Sequence, residues 1–154
     1  MSTIGLTVIP LAAQASLMFV DELVFHRRRG LPRWERIGHP MDTLSVLMCY
    51  AIAVLFEPTG RALTWYVVVA CISCLLITKD EFLHASLCTA CEHWIHAMLF
   101  VLHPIVLASV AALWIFHLRL AILFQASMTI AFWVYQIIYW GVLNPPSEAK
   151  GGAR

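Results

Sequence analysis

Charged residues are scarce in this sequence. Asp, Glu, Lys and Arg make up 12% of the 154 residues, whereas 61% are hydrophobic, and the mean hydropathy of +0.80 lies far above that of soluble domains. Such a chain has too little polar sequence to cover a water-soluble core. The formal net charge is only +1, with the basic residues gathered in one segment, so no nucleic-acid partner is expected. The composition predicts one integral membrane domain over residues 1–143, followed by a disordered cytoplasmic tail at 144–154.

Several other signals are missing as well. The first apolar segment has no basic residues before it and is long enough to span a bilayer, so we expect a first membrane helix rather than a cleaved signal sequence. No phosphate-binding glycine loop and no Ser-His-Asp arrangement stands out. All five cysteines lie in or beside apolar runs, which is not the pattern of an extracellular disulfide framework.

Apolar runs predict an all-α, polytopic helical bundle with about five transmembrane helices, although four or six spans also fit. The predicted spans cover residues 3–25, 41–57, 62–79, 93–116 and 119–142. Residues 80–103 fit either one continuous helix or an interfacial segment at 80–91 followed by a span. We favour the second description because the apolar run begins only at Trp94.

Basic residues predict the orientation of the bundle. The segment 26–39, HRRRGLPRWERIGH, holds five of the ten Lys and Arg residues and is interpreted as a cytoplasmic loop by the positive-inside rule. Turns are expected within or beside it at Gly30, Pro32, Gly38 and Pro40. The resulting model is N-out and C-in, in a bacterial inner (plasma) membrane. Anionic lipid headgroups are expected to bind between Arg27 and Arg36.

Carboxylates and histidines recur in pairs that are three or four residues apart. Residues at this spacing lie on one face of a helix, so each pair can present an oxygen and an imidazole nitrogen to a shared metal ion. Asp21 is not among the candidate ligands, and an alternative interpretation of Asp21, Glu22 and Asp80 is that they are solvated helix-end charges that pair with the arginines. The paired residues predict a metal site at the cytoplasmic face, with a hydrogen-bonded network or proton path as the alternative. The candidate ligands are Glu22 with His26, His39 with Asp42, Glu81 with His84, and Glu92 with His96.

Three further residues are candidates for binding a cofactor. Cys88 and Cys91 have the C-x-x-C spacing of redox pairs, and their polar neighbours are expected to stabilise a thiolate. His103, which precedes Pro104, is a candidate haem ligand.

These patterns favour a membrane metalloenzyme with a mono- or dinuclear site that acts on a lipid-soluble substrate. Oxygen and nitrogen ligands suit iron or zinc, and also manganese. Iron would support oxidation or hydroxylation with O₂, whereas zinc would support hydrolysis of a lipid ester or amide. One alternative is a metal ion transporter, which would need to form a homo-oligomer to build a path, or a metal-handling assembly factor. The other is a haem, quinone or thiol redox protein. No catalytic residue is assigned.

Overall fold

The computed structural model describes residues 3–81 and 88–144, and within these ranges its regular structure is entirely helical. Three short helical segments extend the long helices: a π-helical turn at Asp21–His26 that leads into Arg27–Arg29, a 3₁₀ turn at Ile77–Asp80, and a π-helical end at Ile137–Leu143. The long helices are α1 (Thr3–Val20), α2 (Arg33–Leu55), α3 (Gly60–Leu76), α4 (Ala90–Ile115) and α5 (Arg119–Gln136).

Five helical segments are long and apolar enough to cross a membrane, as the hydropathy pattern predicts. Their surfaces are apolar too: Leu120 is 83% exposed, and Leu75 and Trp94 are each 71% exposed. Large apolar side chains on the outside of a bundle are typical of a protein that faces lipid. The tail at 145–154 and the segment 82–87, which includes His84, lie outside the described residues.

The predicted loop at 26–39 is wrong over most of its length, because α2 begins at Arg33 and not near residue 41. Gly38 and Pro40 lie inside this helix. A proline within a helix has no N–H to bond the carbonyl four residues earlier, which for Pro40 is that of Arg36. Side chains form further hydrogen bonds with carbonyl groups close to Pro40. Trp133 Nε1 donates to the Pro40 carbonyl at 3.0 Å, and Thr43 Oγ1 donates to the His39 carbonyl at 3.0 Å. The turn between α1 and α2 is therefore short and centres on Gly30, whose φ of +75° suits glycine.

Residues 81–103 do not form one continuous helix. Thr89 is extended and caps α4, and its Oγ1 accepts a hydrogen bond from the Glu92 backbone at 3.3 Å. The separate helix that begins at Ala90 agrees with the favoured description in this respect, whereas most of the predicted interfacial segment at 80–91 lies outside the described residues. Pro104 lies within α4 and does not divide it.

The helices α2 and α4 form the centre of the bundle. Helix α1 packs chiefly against α4, while α2 packs between α3 and α5. A buried apolar core occupies the half of the bundle where α2 and α4 end, and their first turns meet the end of α1 in the other half. The core residues are Cys49, Tyr50, Ala53, Ala62, Tyr66, Leu107, Val110, Leu113, Trp114 and Ile122.

Candidate metal centre

Polar and ionisable side chains are buried together at the arginine-rich end of the bundle. Helix α1 ends there, and α2 and α4 begin there. None of the four carboxylates involved is more than 6% exposed. The cluster consists of the carboxylates Asp21, Glu22, Glu35 and Glu92 and the histidines His26, His39 and His96.

The π-helical turn at Asp21–His26 brings Asp21 into this cluster. In an ordinary α-helix, residues five apart point about 140° away from each other. A π-helical turn closes between residues i and i+5, so Asp21 and His26 lie over one another. Asp21 Oδ2 is 3.3 Å from His26 Nε2. The prediction that Asp21 is a solvated helix-end charge is therefore wrong, because this side chain is buried between two histidines.

His26 lies between two carboxylates. Its Nδ1 is 3.3 Å from Glu22 Oε2, in hydrogen-bonding geometry. Its Nε2 faces Asp21 and has no hydrogen-bond partner within the described part of the chain. His26 is only 2% exposed, so water does not readily satisfy this nitrogen.

Helix α4 supplies two more groups to the same place. His96 Nε2 lies 3.1 and 3.2 Å from the two oxygens of Asp21. Asp21, His26, Glu92 and His96 each offer one ligand atom, and these four atoms lie within 4.8 Å of one another. Two carboxylates and two imidazoles from two helices therefore converge on one small volume.

A second group adjoins the first. His26, Glu35 and His39 also offer ligand atoms within 4.8 Å of one another, and the rings of His26 and His39 lie 4.9 Å apart. Arg29 holds Glu35 through two hydrogen bonds of 3.2 and 2.9 Å. The same guanidinium reaches Glu92 Oε1 at 3.2 Å.

Glu22 is fixed by aromatic side chains of α5 and its π-helical end. Its Oε1 accepts hydrogen bonds from Trp140 Nε1 at 2.5 Å and from the Tyr135 hydroxyl at 3.1 Å. Arg27 lies 4.8 Å from the centre of the Tyr139 ring and donates to the Tyr135 hydroxyl at 3.5 Å. One oxygen of Glu22 therefore contacts His26, and the other is held by Trp140 and Tyr135.

Several predicted ligands lie apart from the two groups. Both oxygens of Asp42 are 2.6 Å from Lys79 Nζ, so Asp42 has a cationic partner. Glu81 is exposed and belongs to neither group. His39 belongs to the second group, and its Nε2 is buried without a described hydrogen-bond partner. His84 cannot be placed, since it lies outside the described residues.

His103 lies in a buried hydrogen-bonded chain in the middle of the bundle. Its Nε2 is 2.9 Å from Ser73 Oγ, which is 2.7 Å from Ser45 Oγ. Ser45 donates its only hydroxyl proton to the Asp42 carbonyl at 2.6 Å. It follows that Ser73 donates to Ser45 and accepts a hydrogen bond from His103 Nε2. These side chains join α2, α3 and α4.

Neither cysteine of the predicted redox pair is in a disulfide. Burial, followed by a hydrogen bond to Glu92, raises the pKa of the Cys88 thiol to about 12. The polar neighbours thus stabilise the neutral thiol rather than the expected thiolate. Cys91 is exposed on the first turn of α4.

A repeated sequence pattern also indicates Glu35 as a candidate ligand, but the pattern is meaningful only if residues 35–39 are helical, and a loop is predicted there. Glu35 and His39 have the Glu-x-x-x-His spacing, as do Glu22 with His26 and Glu92 with His96. Pairing His39 with Asp42 overlooked this third repeat because residues 33–39 were assigned to a loop. Asp21 gave no such signal, since its position depends on a π-helical turn.

No protein-family model matches the chain, and no curated protein or solved structure shows significant similarity to it.

Proposed function

We propose that this protein is a membrane metalloprotein in which Asp21, His26, Glu92 and His96 bind one divalent transition-metal ion. The five apolar segments cross the bilayer, N-out and C-in, with the metal site near the cytoplasmic face. The proposed activity is metal-dependent oxidation or hydroxylation of a lipid-soluble molecule. The exposed arginines beside the site, Arg27, Arg28 and Arg33, would attract anionic lipid headgroups.

The orientation of His26 supports this proposal most directly. Its Nδ1 donates to Glu22, so in the neutral ring Nε2 has the lone pair. That lone pair lies 3.3 Å from a buried oxygen of Asp21. In this neutral form the two facing acceptors repel each other in a buried site, and either a proton on Nε2 or a cation between the two atoms removes the repulsion. A histidine that is held by a carboxylate through one nitrogen commonly binds metal through the other.

The balance of charge supports the same conclusion. Among the described residues, one arginine, Arg29, is in ionic contact with two of the four buried carboxylates. Protonation of the histidines would compensate the excess negative charge, but it would place imidazolium ions side by side, since the His26 ring lies 4.9 Å from His39 and 6.2 Å from His96. Like charges this close repel in a poorly solvated site. A divalent cation supplies the positive charge without this repulsion.

The donor set favours iron or manganese for redox chemistry. Two carboxylates and two imidazoles include no thiolate, which suits iron, manganese or zinc. Zinc with four protein ligands forms a closed structural site, whereas iron and manganese accept further ligands. Iron with open coordination positions is the metal that would activate O₂ for the proposed oxidation. Zinc with an open position would instead indicate hydrolysis.

A bound metal centre fits the packing better than a transport path does. The groups that converge at Asp21 all lie in one half of the bundle. In the other half, the described residues at the centre are the apolar core, which includes Leu107, Val110 and Leu113. An ion moving through one chain would have to cross this core without ligands.

Metal content of the detergent-purified protein tests the proposal. We expect about one iron or manganese per chain by plasma mass spectrometry, and a large loss in the His26→Ala and Asp21→Asn variants. His117→Ala is the matched control, because its side chain is 70% exposed at the other end of the bundle. Wild-type protein that retains no metal after purification and reconstitution would refute the proposal. Zinc in place of iron or manganese would leave the metal site intact but refute the proposed oxidation.

A further inference from the structure

The second group of potential ligands already contains a cation. Arg29 Nη2 lies 2.9 Å from Glu35 Oε2 and 3.2 Å from Glu92 Oε1. One guanidinium nitrogen therefore bridges two buried carboxylates that belong to different helices. A metal ion bridging two carboxylates in a dinuclear centre takes a comparable position.

We infer that the Arg29 guanidinium occupies a second cation position, and that it limits the centre to one metal ion. This inference rests on the proposed function, because it concerns the nuclearity of the same site. If Arg29 is removed, Glu35, Glu92 and His39 form the binding site for a second divalent cation.

The burial and the hydrogen bonds of Glu35 support the inference. Glu35 is 0% exposed, and both of its oxygens bond Arg29, which remains 18% exposed. A buried carboxylate needs a cation or several donors, because desolvation of the charge is costly. The bidentate geometry is one that a guanidinium provides and an ammonium does not. The Arg29 guanidinium is therefore already the counter-ion of Glu35, so Glu35 does not need a metal ion in that position.

His39 supplies the remaining ligand. Its Nε2 is inaccessible to solvent and has no described hydrogen-bond partner, although its ring is 4.9 Å from that of His26. Its ligand atom lies within 4.8 Å of one from Glu35. A cation that replaced Arg29 Nη2 between the two carboxylates would therefore have an imidazole nitrogen available on the Glu35 side of the position. Two oxygens and one nitrogen suit the same metals as the first position.

Manganese(II) reconstitution tests the inference. Wild-type protein is expected to bind about one manganese per chain, with the six-line electron paramagnetic resonance signal of an isolated ion. Arg29→Met has a similar length without charge, and it is expected to bind about two ions with the altered signal of a coupled pair. Arg29→Lys retains a positive charge and is expected to bind about one. The double variant Arg29→Met/Glu35→Gln removes both the guanidinium and a ligand, so it too should bind about one.

The outcomes separate the inference from the proposed function. Two ions in the wild type, or one ion in Arg29→Met, would overturn the inference while leaving the metal site in place. No manganese in the wild type would refute the proposed function itself. Arg29→Met leaves Glu35 without its counter-ion, so it is expressed and purified with manganese present. If it does not fold even then, a second ion cannot replace the guanidinium, and the inference is overturned.

Discussion

The Nδ1 atom of His26 lies 3.3 Å from Oε2 of Glu22, and this contact determines which ring nitrogen faces Asp21. An ionised carboxylate only accepts hydrogen bonds, so a neutral His26 has its proton on Nδ1. The sequence predicted Glu22 as a metal ligand. In the structure one oxygen of Glu22 holds His26 and the other is held by Trp140 and Tyr135, so under the proposed function Glu22 orients a ligand rather than binding the metal.

Glu22→Gln is expected to weaken metal binding without abolishing it. The amide retains the shape of the side chain but removes the charge that fixes the His26 tautomer. Loss of such an orienting partner typically lowers metal affinity about 10- to 100-fold. Competition with a chelator measures the affinity, and plasma mass spectrometry at saturating metal checks that the stoichiometry is unchanged. Glu57→Gln is the control, because Glu57 is exposed at the opposite end. Complete loss of metal would instead indicate that Glu22 is a ligand.

Tyr135→Phe is expected to have a smaller effect in the same direction. The change removes one of the two hydrogen bonds to Glu22 Oε1 and leaves the one from Trp140. A net hydrogen bond contributes about 1 kcal/mol, which corresponds to about a fivefold change in affinity. Tyr139→Phe serves as control, since its ring stacks on that of Tyr135 at 5.2 Å and the described partners of Glu22 do not include it. If Tyr135→Phe and Tyr139→Phe retain metal equally well in competition with a chelator, the Tyr135 hydroxyl does not contribute to metal affinity.

Asp42 is predicted from the sequence to be a metal ligand, but in the structure it forms an ion pair with Lys79. Both of its oxygens lie 2.6 Å from Lys79 Nζ, so we expect Asp42→Asn to leave the metal content unchanged and to lower the free energy of unfolding by about 1–3 kcal/mol. Asp21→Asn is the matched change within the cluster, and it should lose metal. Stability is measured by denaturation in mixed micelles, with metal content determined on the same samples. Equal metal loss in Asp42→Asn and Asp21→Asn would show that Asp42 is also needed for metal binding.

The sequence predicted the long apolar helices better than it predicted the site. Long apolar runs indicate directly how many helices are long and apolar enough to cross a bilayer, because about twenty apolar residues are needed. Regular helical spacing also grouped His26, Glu92 and His96 correctly in space. Asp21 was missed because a π-helical turn changes the face on which it lies. Glu35 was missed because Gly38 and Pro40 suggested a loop, whereas ion pairing between Arg29 and Glu35 supports a helix there.

The sequence also does not show which cation each carboxylate pairs with. Asp42 has the same spacing to His39 that a metal-binding pair would have, and spacing alone does not show that Lys79 lies nearer. Lys79 follows α3, a different helix from that of Asp42, so their contact depends on tertiary packing. The position of the Arg29 guanidinium between Glu35 and Glu92 likewise depends on how three helices meet.

The Cys88 thiol is expected to be unreactive at neutral pH. In the metal-free protein burial and Glu92 raise its pKa to about 12, so the thiol stays protonated at neutral pH. Alkylation by iodoacetamide should therefore rise about tenfold per pH unit between pH 7 and 10. Peptide mass spectrometry compares the folded protein with protein unfolded in dodecyl sulfate, where the same cysteine should react rapidly at pH 8. Equal rates in the two states would contradict the raised pKa.

Ser73→Ala is expected to destabilise the bundle while leaving the metal site intact. Ser73 is 0% exposed and links Ser45 on α2 to His103 on α4. Its removal leaves two buried polar groups without this partner, which typically costs about 1–3 kcal/mol for each group. Denaturation in mixed micelles measures the loss, with Ser127→Ala as the matched control because the Ser127 hydroxyl is exposed and bonds only its own helix. Metal content should equal that of the wild type, since His103 lies about 10 Å along α4 from His96. A loss of metal in Ser73→Ala would show that the chain through His103 extends to the centre at Asp21.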